Sequence, residues 1–438
     1  MRNTGSQQFS NTAPFSNTAP SSNTAPSSNT APSSNTAPSS NTEPIQHPEH
    51  DHYDVIIVGA RAAGASTAML LARGGLRVLA VDRSAYGSDT LSTHSLSKSG
   101  VLLLSRWGVL DRVKAAGTPV TRTIEFRYGG DPVRIDVSGE GDVDGLYSPR
   151  RTVLDVELVD EARRSGAEIC HGVSVAGLSF DPTGRVNGVE LNLGTSTRRI
   201  GARFVLGADG GRSRVAAAVG ARTIVEDPSC SAFIFSYRTG LADDLIQNDY
   251  EVRGRAFGVI PTNDGLACVW VAMSPQRFRT EARGNLEGAF AAEVDSSEKM
   301  TELLRGTERV GGFRGAPGHP GFLRQAHGPG WALVGDAGYY KDPVSAHGIT
   351  DAFVGAELLS SSLIDVINDG APEQEALARF QMHRDALAAT LMPPVAALAR
   401  LDLDGPASAI AFRQLNEALK SEWQLLHSDA VAQPAAVC

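Results

Sequence analysis

A glycine-rich turn followed by an acidic residue has the residue types and the spacing that bind a dinucleotide. Gly59 and Gly64 enclose the turn, and Asp82 stands further along the chain at the end of an apolar run. Gly59 permits a tight turn, the helix N-terminus behind it faces a pyrophosphate, and Asp82 can accept a hydrogen bond from a ribose hydroxyl. An Asp at this place suits a free 2′-hydroxyl, which favours FAD or NAD over NADP. Arg83, the next residue, is a further candidate for cofactor contact. Arg61 stands where the fingerprint has its middle glycine, so its side chain either contacts phosphate or weakens the site.

Two more acidic residues come directly after apolar runs much later in the chain, and they indicate which dinucleotide to expect. Asp209 and Gly210 follow one run, and Gly335 and Asp336 follow another. One ligand that is touched at three distant strand ends must be long, which favours FAD over NAD. Asp336 can hold a ribityl or ribose hydroxyl. The turn at 342–349 precedes a helix predicted from near Thr350, and its backbone N–H groups suit the N1/C2-carbonyl edge of a reduced flavin.

These motifs need buried strands before them and helices after them. The run Asp54–Val58 is typical of a parallel strand buried on both faces, Ala65–Arg73 predicts a helix, and Arg77–Val81 predicts the second strand. The sequence therefore predicts an α/β fold. A Rossmann-like FAD-binding domain is assembled from separated segments, with an inserted, mainly antiparallel β substrate domain and C-terminal helices.

The predicted insertion covers residues 223–322, where short strand-like runs replace the helical pattern. The residues Thr262-Asn-Asp-Gly265 stand between two of these runs and are a strong hairpin signal. Antiparallel strands between two cofactor-binding segments suggest a sheet that covers the flavin face.

Aromatic residues of this insertion are candidates for a substrate wall. Strand alternation places Phe233, Phe235 and Tyr237 on one face of their strand. Phe257 and Trp270 are the other candidates from neighbouring runs. Core packing explains these rings equally well.

The two ends of the chain complete the predicted organisation. Helical periodicity covers Glu373–Leu391 and is stopped by Pro393 and Pro394, and a further helix covers Ala407–Leu426. Residues 1–50 hold six copies of a Ser-Asn-Thr-Ala/Glu-Pro unit, which offers no apolar face to bury and predicts disorder. The predicted segments are a disordered tail at 1–50, FAD-binding segments with β-hairpin insertions at 51–222, a substrate-domain sheet at 223–322, an FAD-binding segment at 323–370 and C-terminal helices at 371–438.

Composition argues against several other classes of protein. The formal net charge is −9 and there is no basic run, so neither a nucleic acid nor a membrane is expected as a partner. No apolar run is long enough to span a bilayer and no signal-peptide pattern is present, so we expect a cytoplasmic protein. The four cysteines are scattered singly, which predicts free thiols rather than a metal site or disulfides. A homodimer is left open.

The order and spacing of the three motifs resemble those of the FAD-dependent aromatic hydroxylases of the para-hydroxybenzoate hydroxylase superfamily. The resemblance covers about residues 53–395. It is closest to a subgroup whose first loop reads Gly-Ala-Arg-x-Ala-Gly and whose following segment reads Asp-Thr-Leu-Ser-Thr-His, here Asp89 to His94. Arg61 is then normal for the subgroup.

The resemblance also implies roles for particular residues. It implies that Arg151 contacts the cofactor, and that Asp209 and Gly210 serve FAD and NADPH together. In the last motif Pro343 is kept, but the glycine-rich loop that many hydroxylases have is replaced by other residues. The candidates for contact with the flavin edge there are His347, Gly348 and Ile349.

The function that the resemblance implies is that of a flavin monooxygenase. NADPH or NADH would visit transiently to reduce FAD, and O₂ would add to give a flavin C4a-hydroperoxide that oxygenates an aromatic or similarly electron-rich small molecule. The chain shows no second nucleotide-binding unit and no cysteine pair, which argues against two-dinucleotide reductases. It also lacks the Trp-x-Trp-x-Ile-Pro motif by which flavin-dependent halogenases resemble one another. A geranylgeranyl reductase type of enzyme and a non-catalytic flavin-binding protein remain alternatives.

His94 is the one side chain for which a catalytic role is considered. It follows a polar loop that the fold should bring near the flavin, where an imidazole can accept a phenol proton or orient the substrate. The alternative is a structural histidine that forms hydrogen bonds within its own Ser/Thr-rich loop.

Overall fold

The computed structural model describes residues 47–139, 143–194 and 196–427 and arranges them around two main sheets. The repeats for which disorder is predicted lie outside the described residues.

The first sheet has eight strands in the described part of the chain, and its centre is parallel. Six strands lie side by side in the order His327–Gly328, Trp331–Leu333, Thr197–Gly207, His52–Val58, Val78–Asp82 and Glu168–His171. The hairpin of Ser174–Phe180 and Val186–Asn192 pairs antiparallel with the start of the strand Thr197–Gly207. This is the predicted Rossmann-like arrangement, assembled from separated segments.

Both faces of the first sheet are covered, which explains why its strands are apolar throughout. Val55 and Ile57 pack with residues of the helical layer, whereas Ile56 and Val58 pack on the opposite face with the hairpin and a short helix. The helices that share the first of these cores include Ala62–Arg73, Arg151–Arg164 and Gly348–Asn368.

The second sheet has seven strands in the described residues and is mainly antiparallel. Its order is Glu308–Ala316, Ala232–Thr239, Leu266–Met273, Arg255–Thr262, Leu245–Asp249, Thr123–Arg127 and Val133–Asp136. The last two strands come from the segment at 51–222, so the predicted hairpin insertion there extends this sheet. The predicted hairpin turn is confirmed, because Asp264 and Gly265 both have positive φ and Thr262 pairs with Leu266.

The two faces of the second sheet support different layers. One face carries Phe233, Phe235 and Trp270 and packs against the two last helices of the described chain, Glu373–Ala399 and Gly405–His427. The other face packs against the helix Leu286–Asp295.

The other elements are small. The remaining strands form a three-stranded sheet of Thr223–Asp227, Gly321–Arg324 and Tyr339–Tyr340 and a pair of Val120–Thr121 and Leu146–Tyr147. The remaining helices are Lys98–Arg106, Leu110–Ala115, Arg214–Ala218, Pro275–Arg277 and Glu298–Leu303, with single turns at Phe278–Ala282, Gly335–Ala337 and Pro343–Ser345.

One helix boundary differs from the prediction. The helix that was expected to stop before Pro393 and Pro394 continues through both to Ala399. Proline removes a backbone hydrogen bond and disfavours a helix interior. Here Pro394 and Val395 are buried, and Val395 packs with Leu391 and Leu398 in the core beneath the second sheet. Tertiary burial of this stretch therefore outweighs the local signal.

Within the described residues, no helix combines the length and the apolar character needed to cross a membrane.

Candidate functional site

The three predicted motifs meet at one edge of the first sheet. Val58 pairs with both Gly207 and Val81, and Gly207 pairs with Leu333, so four parallel strands end at the same level. The carboxyl ends of such strands are where α/β sheets bind ligands. The turns that carry the predicted cofactor residues therefore lie side by side.

The first turn is fixed by its two glycines and by Asp82. Gly59 has φ of +103°, and a Cβ atom there would lie 2.4 Å from the carbonyl oxygen of Ala208. A Cβ at Gly64 would lie 1.8 Å from the carbonyl oxygen of Gly59, so the helix can approach the turn only with glycine at this place. Asp82 accepts a hydrogen bond of 2.9 Å from the backbone N–H of Ala60.

Arg61 turns its side chain toward the neighbouring helix. Its guanidinium donates to Asp155 Oδ2 at 3.1 Å and to the carbonyl and hydroxyl oxygens of Ser88, both at 3.1 Å. Arg151 donates to the same Asp155 carboxylate at 2.9 Å and 3.0 Å. Two arginines thus share one carboxylate and leave an excess of positive charge, which suits a phosphate-bearing ligand.

Asp209 caps the short helix that follows the second motif. Its Oδ2 accepts from the backbone N–H of Arg214 at 2.6 Å, whereas its buried Oδ1 has no hydrogen-bond partner in the described structure. Gly210 has φ of +80° and no atom within 4 Å of a Cβ position, so it faces open space. A buried acceptor without a partner is costly, and a ligand donor would satisfy it.

The third motif consists of Gly335 and Asp336. Gly335 before it has φ of +61°, and a Cβ there would lie 2.8 Å from the Cβ of Ala63 in the first helix. Burial, with the nearby Asp351 carboxylate, raises the pKa of Asp336 to about 6. A hydroxyl donor placed beside this carboxylate would favour its charged form.

One cavity of about 840 Å³ joins these turns. This volume is within the range of small-molecule and cofactor sites. The predicted cofactor residues that line it are Gly59, Arg61, Asp82, Arg83, Arg151, Asp209, Gly210, Asp336, Pro343, Gly348 and Ile349. The predicted cofactor residues that do not line it are Gly64, Gly335 and His347.

The turn before the long helix Gly348–Asn368 has a conformation that lets a ligand approach its backbone closely. Asp342 accepts hydrogen bonds from Val344 and from Ser231, which ties the turn to the second sheet. Ala346 has φ of +51°, a left-handed conformation that is strained for alanine. Gly348 then begins the helix, with no atom within 4 Å of a Cβ position. The positive end of the helix therefore faces the cavity.

The aromatic candidates divide between the two faces of the second sheet. Phe233 and Trp270 line the cavity, together with Phe235. Tyr237 lies on the same face but behind the lining. Phe257 packs on the opposite face, in the core with Phe290, so its predicted place in a substrate wall is corrected. The strand that carries Phe257 is buried on both faces, and its sequence therefore gave no sign of which face each residue takes.

His94 is fully buried and meets Tyr237. Its Nε2 lies 2.6 Å from the Tyr237 hydroxyl, and its Nδ1 has no partner in the described structure. Burial, together with the charge of Arg151, lowers the pKa of His94 to about 3. The ring is therefore neutral at ordinary pH and a weak base. Its neighbours Thr93 and Ser95 line the cavity, although His94 itself does not.

The structure adds a residue that the sequence reasoning missed. Lys341 lines the cavity with its side chain only 4% exposed, and its Nζ contacts Asp351 in the first turn of the long helix. In the sequence, Lys341 stands between Tyr340 and Asp342, close to the third motif. A lysine that is buried there needs a charged partner, so its position could have marked it as a candidate site residue.

The hairpin tip of the second sheet is anchored near Arg151. Asn263 accepts a hydrogen bond of 2.9 Å from the backbone N–H of Arg150 and donates to Ala116 and Thr118. These bonds fix the aromatic face of the second sheet relative to the strand ends of the first.

Comparisons with known proteins agree with this geometry. Residues 52–393 match the family model described as the FAD binding domain. The chain is 25% identical over 351 residues to a digeranylgeranylglycerophospholipid reductase of Methanocella arvoryzae, across 77% of this chain and 84% of that protein.

Two solved structures show the same fold. PqsL of P. aeruginosa, in complex with 2-aminobenzoylacetate, matches with a TM-score of 0.70 and 22% identity, over 83% of this chain and 100% of that chain. A triple mutant of a flavin-dependent brominase matches with a TM-score of 0.75 and 17% identity, over 88% of this chain and 96% of that chain. The chain shares its fold with these two proteins and belongs to the family described as the FAD binding domain.

Proposed function

We propose that this protein is an FAD-dependent monooxygenase that uses NADPH or NADH and O₂ to hydroxylate, or otherwise oxygenate, an aromatic or similarly electron-rich small molecule. The observation that carries the proposal is a cavity of about 840 Å³ that is lined both by residues of the dinucleotide turn and by aromatic rings of the second sheet. A cofactor and an aromatic substrate can therefore meet in one cavity.

The residues around the strand ends fit FAD. Asp82 would accept from a ribose hydroxyl, and the turn Gly59–Gly64 with the helix behind it would receive the pyrophosphate. Asp336, whose carboxylate has no hydrogen-bond partner among the described residues, would accept from a ribityl hydroxyl. When bound, FAD supplies the electron transfer from the nicotinamide and the activation of O₂.

The chain itself supplies binding, orientation and a dry environment. Phe233, Phe235 and Trp270 are each less than one-tenth exposed and form an apolar wall beside the cofactor residues. Apolar walls exclude water, which strengthens every polar contact in the site. The wall would also stack on a planar aromatic substrate, since offset ring pairs are favourable.

His94 acts in this account through Tyr237. The hydrogen bond of 2.6 Å between them joins the polar loop at 89–94 to the second sheet, and the guanidinium of Arg150 stacks over the Tyr237 ring at 4.2 Å. A neutral, buried imidazole can hold this geometry through its hydrogen bond. As a weak base, however, it accepts a proton poorly. Direct proton transfer from a phenol to His94 stays a prediction.

A reductase of the geranylgeranyl type is the second candidate, because a digeranylgeranylglycerophospholipid reductase is among the relatives at 25% identity. In such an enzyme the same apolar wall would hold an isoprenoid chain. Halogenation is less well supported, since Ala256 and Gly258 stand before Ile260-Pro261 at the two places where the halogenase motif has its tryptophans.

Oxygen consumption separates these functions. The purified full-length protein with FAD is mixed with NADPH or NADH in an oxygen electrode, and a panel of phenols, anilines, indoles and polyketide rings is added one at a time. A monooxygenase consumes O₂ faster with one class of aromatic compound and forms a product one oxygen atom heavier. A reductase oxidises the nicotinamide anaerobically when a polyprenyl compound is present, which would overturn the proposal.

A further inference from the structure

Four buried side chains at the wall of the cavity form a connected set of contacts, which we call the charge chain: Lys341, Asp351, His347 and Glu422. The ammonium of Lys341 contacts Oδ2 of Asp351. His347 Nδ1 lies 3.1 Å from Asp351 Oδ1, and His347 Nε2 lies 3.3 Å from Glu422 Oε1. All four side chains are at most 9% exposed. Lys341 Nζ also lies 3.5 Å from His347 Nδ1, so both bases flank the Asp351 carboxylate and Glu422 lies on the far nitrogen of the imidazole.

The charge chain is assembled from two distant parts of the sequence. Lys341, His347 and Asp351 belong to the turn and the first turn of the helix Gly348–Asn368, whereas Glu422 belongs to the last helix, Gly405–His427. Glu422 lies beyond residues 52–393, where the family model matches. Of the four, Lys341 is the one that lines the cavity.

Contacts within the charge chain favour the charged forms of His347 and Asp351. Burial opposes a charged imidazole, but the carboxylates of Glu422 and Asp351 outweigh it and raise the pKa of His347 to about 9. Burial likewise opposes a charged Asp351, but Lys341 and His347 hold the pKa of its carboxyl at about 2. At neutral pH His347 is therefore an imidazolium and Asp351 a carboxylate.

Other ionisable groups close to the charge chain are few in the described structure. Asp336 lies near Lys341 and Asp351, and the ring of Tyr339 lies beneath the Lys341 ammonium at 4.9 Å. Arg384, from the helix Glu373–Ala399, lies close enough to Tyr339 to interact with it electrostatically. None of these three groups contacts His347 directly. The Lys341 ammonium does, and it lowers the pKa of His347, but Glu422 and Asp351 together outweigh it.

The same residues do not form a good metal site. Single ligand atoms of His347, Asp351 and Glu422 lie within 4.8 Å of one another. However, the two carboxylates face opposite nitrogens of the imidazole, so one ion cannot bind the ring and both carboxylates at short range. The Lys341 ammonium already occupies the far oxygen of Asp351.

The order of charges determines how much positive charge Lys341 presents to the cavity. If His347 were neutral, Asp351 would be shared with no second cation and would offset most of the Lys341 charge. An imidazolium on the second oxygen of Asp351 divides that carboxylate between two cations. With its Nδ1 only 3.5 Å from Lys341 Nζ, it also adds its own positive charge beside Lys341. Glu422 is the group that holds the imidazolium in its charged form.

We propose that Glu422 is a positioning residue for the cofactor site. Acting through His347 and Asp351, it keeps Lys341 a net cation at the cavity end that Gly348 and Ile349 line, and it thereby favours the reduced, anionic form of bound FAD over the oxidised form. The inference rests on the proposed function only in requiring that FAD bind in this cavity. It assigns to the last helix a part in the redox chemistry of the site.

The test is the reduction potential of bound FAD as a function of pH. The full-length protein with FAD is titrated with redox dyes between about pH 6 and pH 9. In wild type, His347 remains charged across most of this range. In Glu422→Gln it loses its proton at lower pH, so near pH 8 the ratio of reduced to oxidised flavin at a fixed potential should fall roughly tenfold, which is about 30 mV for a two-electron couple. Near pH 6, where His347 is charged in both proteins, the difference should vanish or change sign.

A control on the same helix separates this effect from the simple loss of a charge. Glu417→Gln removes an exposed carboxylate that pairs with Lys420 at 3.0 Å, and it should leave the potential unchanged at every pH. If the reduction potential of bound FAD in Glu422→Gln equals that in Glu417→Gln at every pH measured, the proposal is overturned.

Two further measurements keep the test decisive. If Glu422→Gln does not fold, Lys341→Gln takes its place, and it should shift the potential to more negative values throughout the range. A wild-type potential in Lys341→Gln would overturn the proposal. Oxygen uptake by wild type is measured in parallel with the substrate panel. If no oxygen uptake is seen but the reduction potential still shifts with pH as predicted, the proposed monooxygenase function is refuted and the proposal for Glu422 stands.

Discussion

The backbone N–H of Ala60 donates a hydrogen bond of 2.9 Å to Oδ2 of Asp82, so the turn after the first strand is tied to the acidic end of the second. The other oxygen, Oδ1, accepts from the N–H of Ser84 at 2.8 Å. A carboxylate has about four acceptor positions, so two remain for a ligand. Asp82 therefore shapes the turn and still faces the cavity as an acceptor.

Asp82→Asn should weaken FAD binding about ten- to hundredfold, because a hydrogen bond to a charged group contributes about 1.5–3 kcal/mol. The dissociation constant is measured by fluorescence titration of the apoprotein. Asp54→Asn is the matched control. Asp54 lies on the same sheet and accepts from the N–H of Arg77 at 2.9 Å, but it is at the amino end of its strand, away from the cavity. Equal losses in both variants would show that the sheet, and not the ribose contact, was damaged.

The affinity for FAD should rise with pH around the pKa of Asp336, which burial raises to about 6 in the apoprotein. A hydroxyl that donates to the carboxylate favours its charged form, so binding releases a proton and protonation competes with binding. At pH 5 only about one molecule in ten has the charged form, and the dissociation constant should be about tenfold larger than at pH 7.

Asp336→Asn provides the control for this pH dependence. The variant should bind FAD more weakly than wild type and with the same affinity at both pH values. A wild-type affinity that does not change between pH 5 and pH 7 would mean that Asp336 does not contact the cofactor.

Phe235→Leu should raise the KM for the aromatic substrate several-fold, because Phe235 lines the cavity on the aromatic face of the second sheet. Phe257→Leu makes the same change at an equally buried ring of the opposite face. Both variants should lose stability, by about 1–2 kcal/mol each. Steady-state kinetics and thermal unfolding separate the two effects. An unchanged KM for Phe235→Leu, or an equal rise for Phe257→Leu, would argue against the substrate wall.

His94→Ala should slow substrate-dependent turnover by about ten- to hundredfold while the FAD content stays that of wild type. The loop at 89–94 loses its hydrogen bond to Tyr237, and the polar residues Thr93 and Ser95 at the cavity lose their anchor. Rates are compared by product formation at saturating substrate. Tyr237→Phe should reproduce the loss if His94 acts through the tyrosine hydroxyl. Unaltered turnover in His94→Ala would show that His94 has no role in turnover.

The parts of the site that were predicted from the sequence are local in the chain. Gly59, Gly64 and Asp82 lie within one strand–turn–helix–strand unit, whose glycines and apolar runs can be read in order. Asp209 and Asp336 follow strands of the same sheet, and parallel strands bring their carboxyl ends to one edge. These relations follow from secondary structure alone, so the sequence was sufficient for them.

The parts that were missed depend on tertiary packing. Phe257 lies on a strand that is buried on both faces, where alternation gives no polar residues to mark the outer side. The helix through Pro393 persists because its apolar residues are buried beneath the second sheet. Glu422 reaches His347 only because the last helix packs across the molecule, and neither spacing nor composition carries that information.

Incorporation of labelled oxygen tests the central claim most directly. The FAD-loaded protein is supplied with NADPH or NADH, isotopically labelled O₂ and the aromatic compound that most stimulates oxygen uptake, and the product is analysed by mass spectrometry. We predict one labelled oxygen atom in each product molecule, with one nicotinamide oxidised for each product formed. A product that is reduced or halogenated and carries no label would contradict the assignment as a monooxygenase.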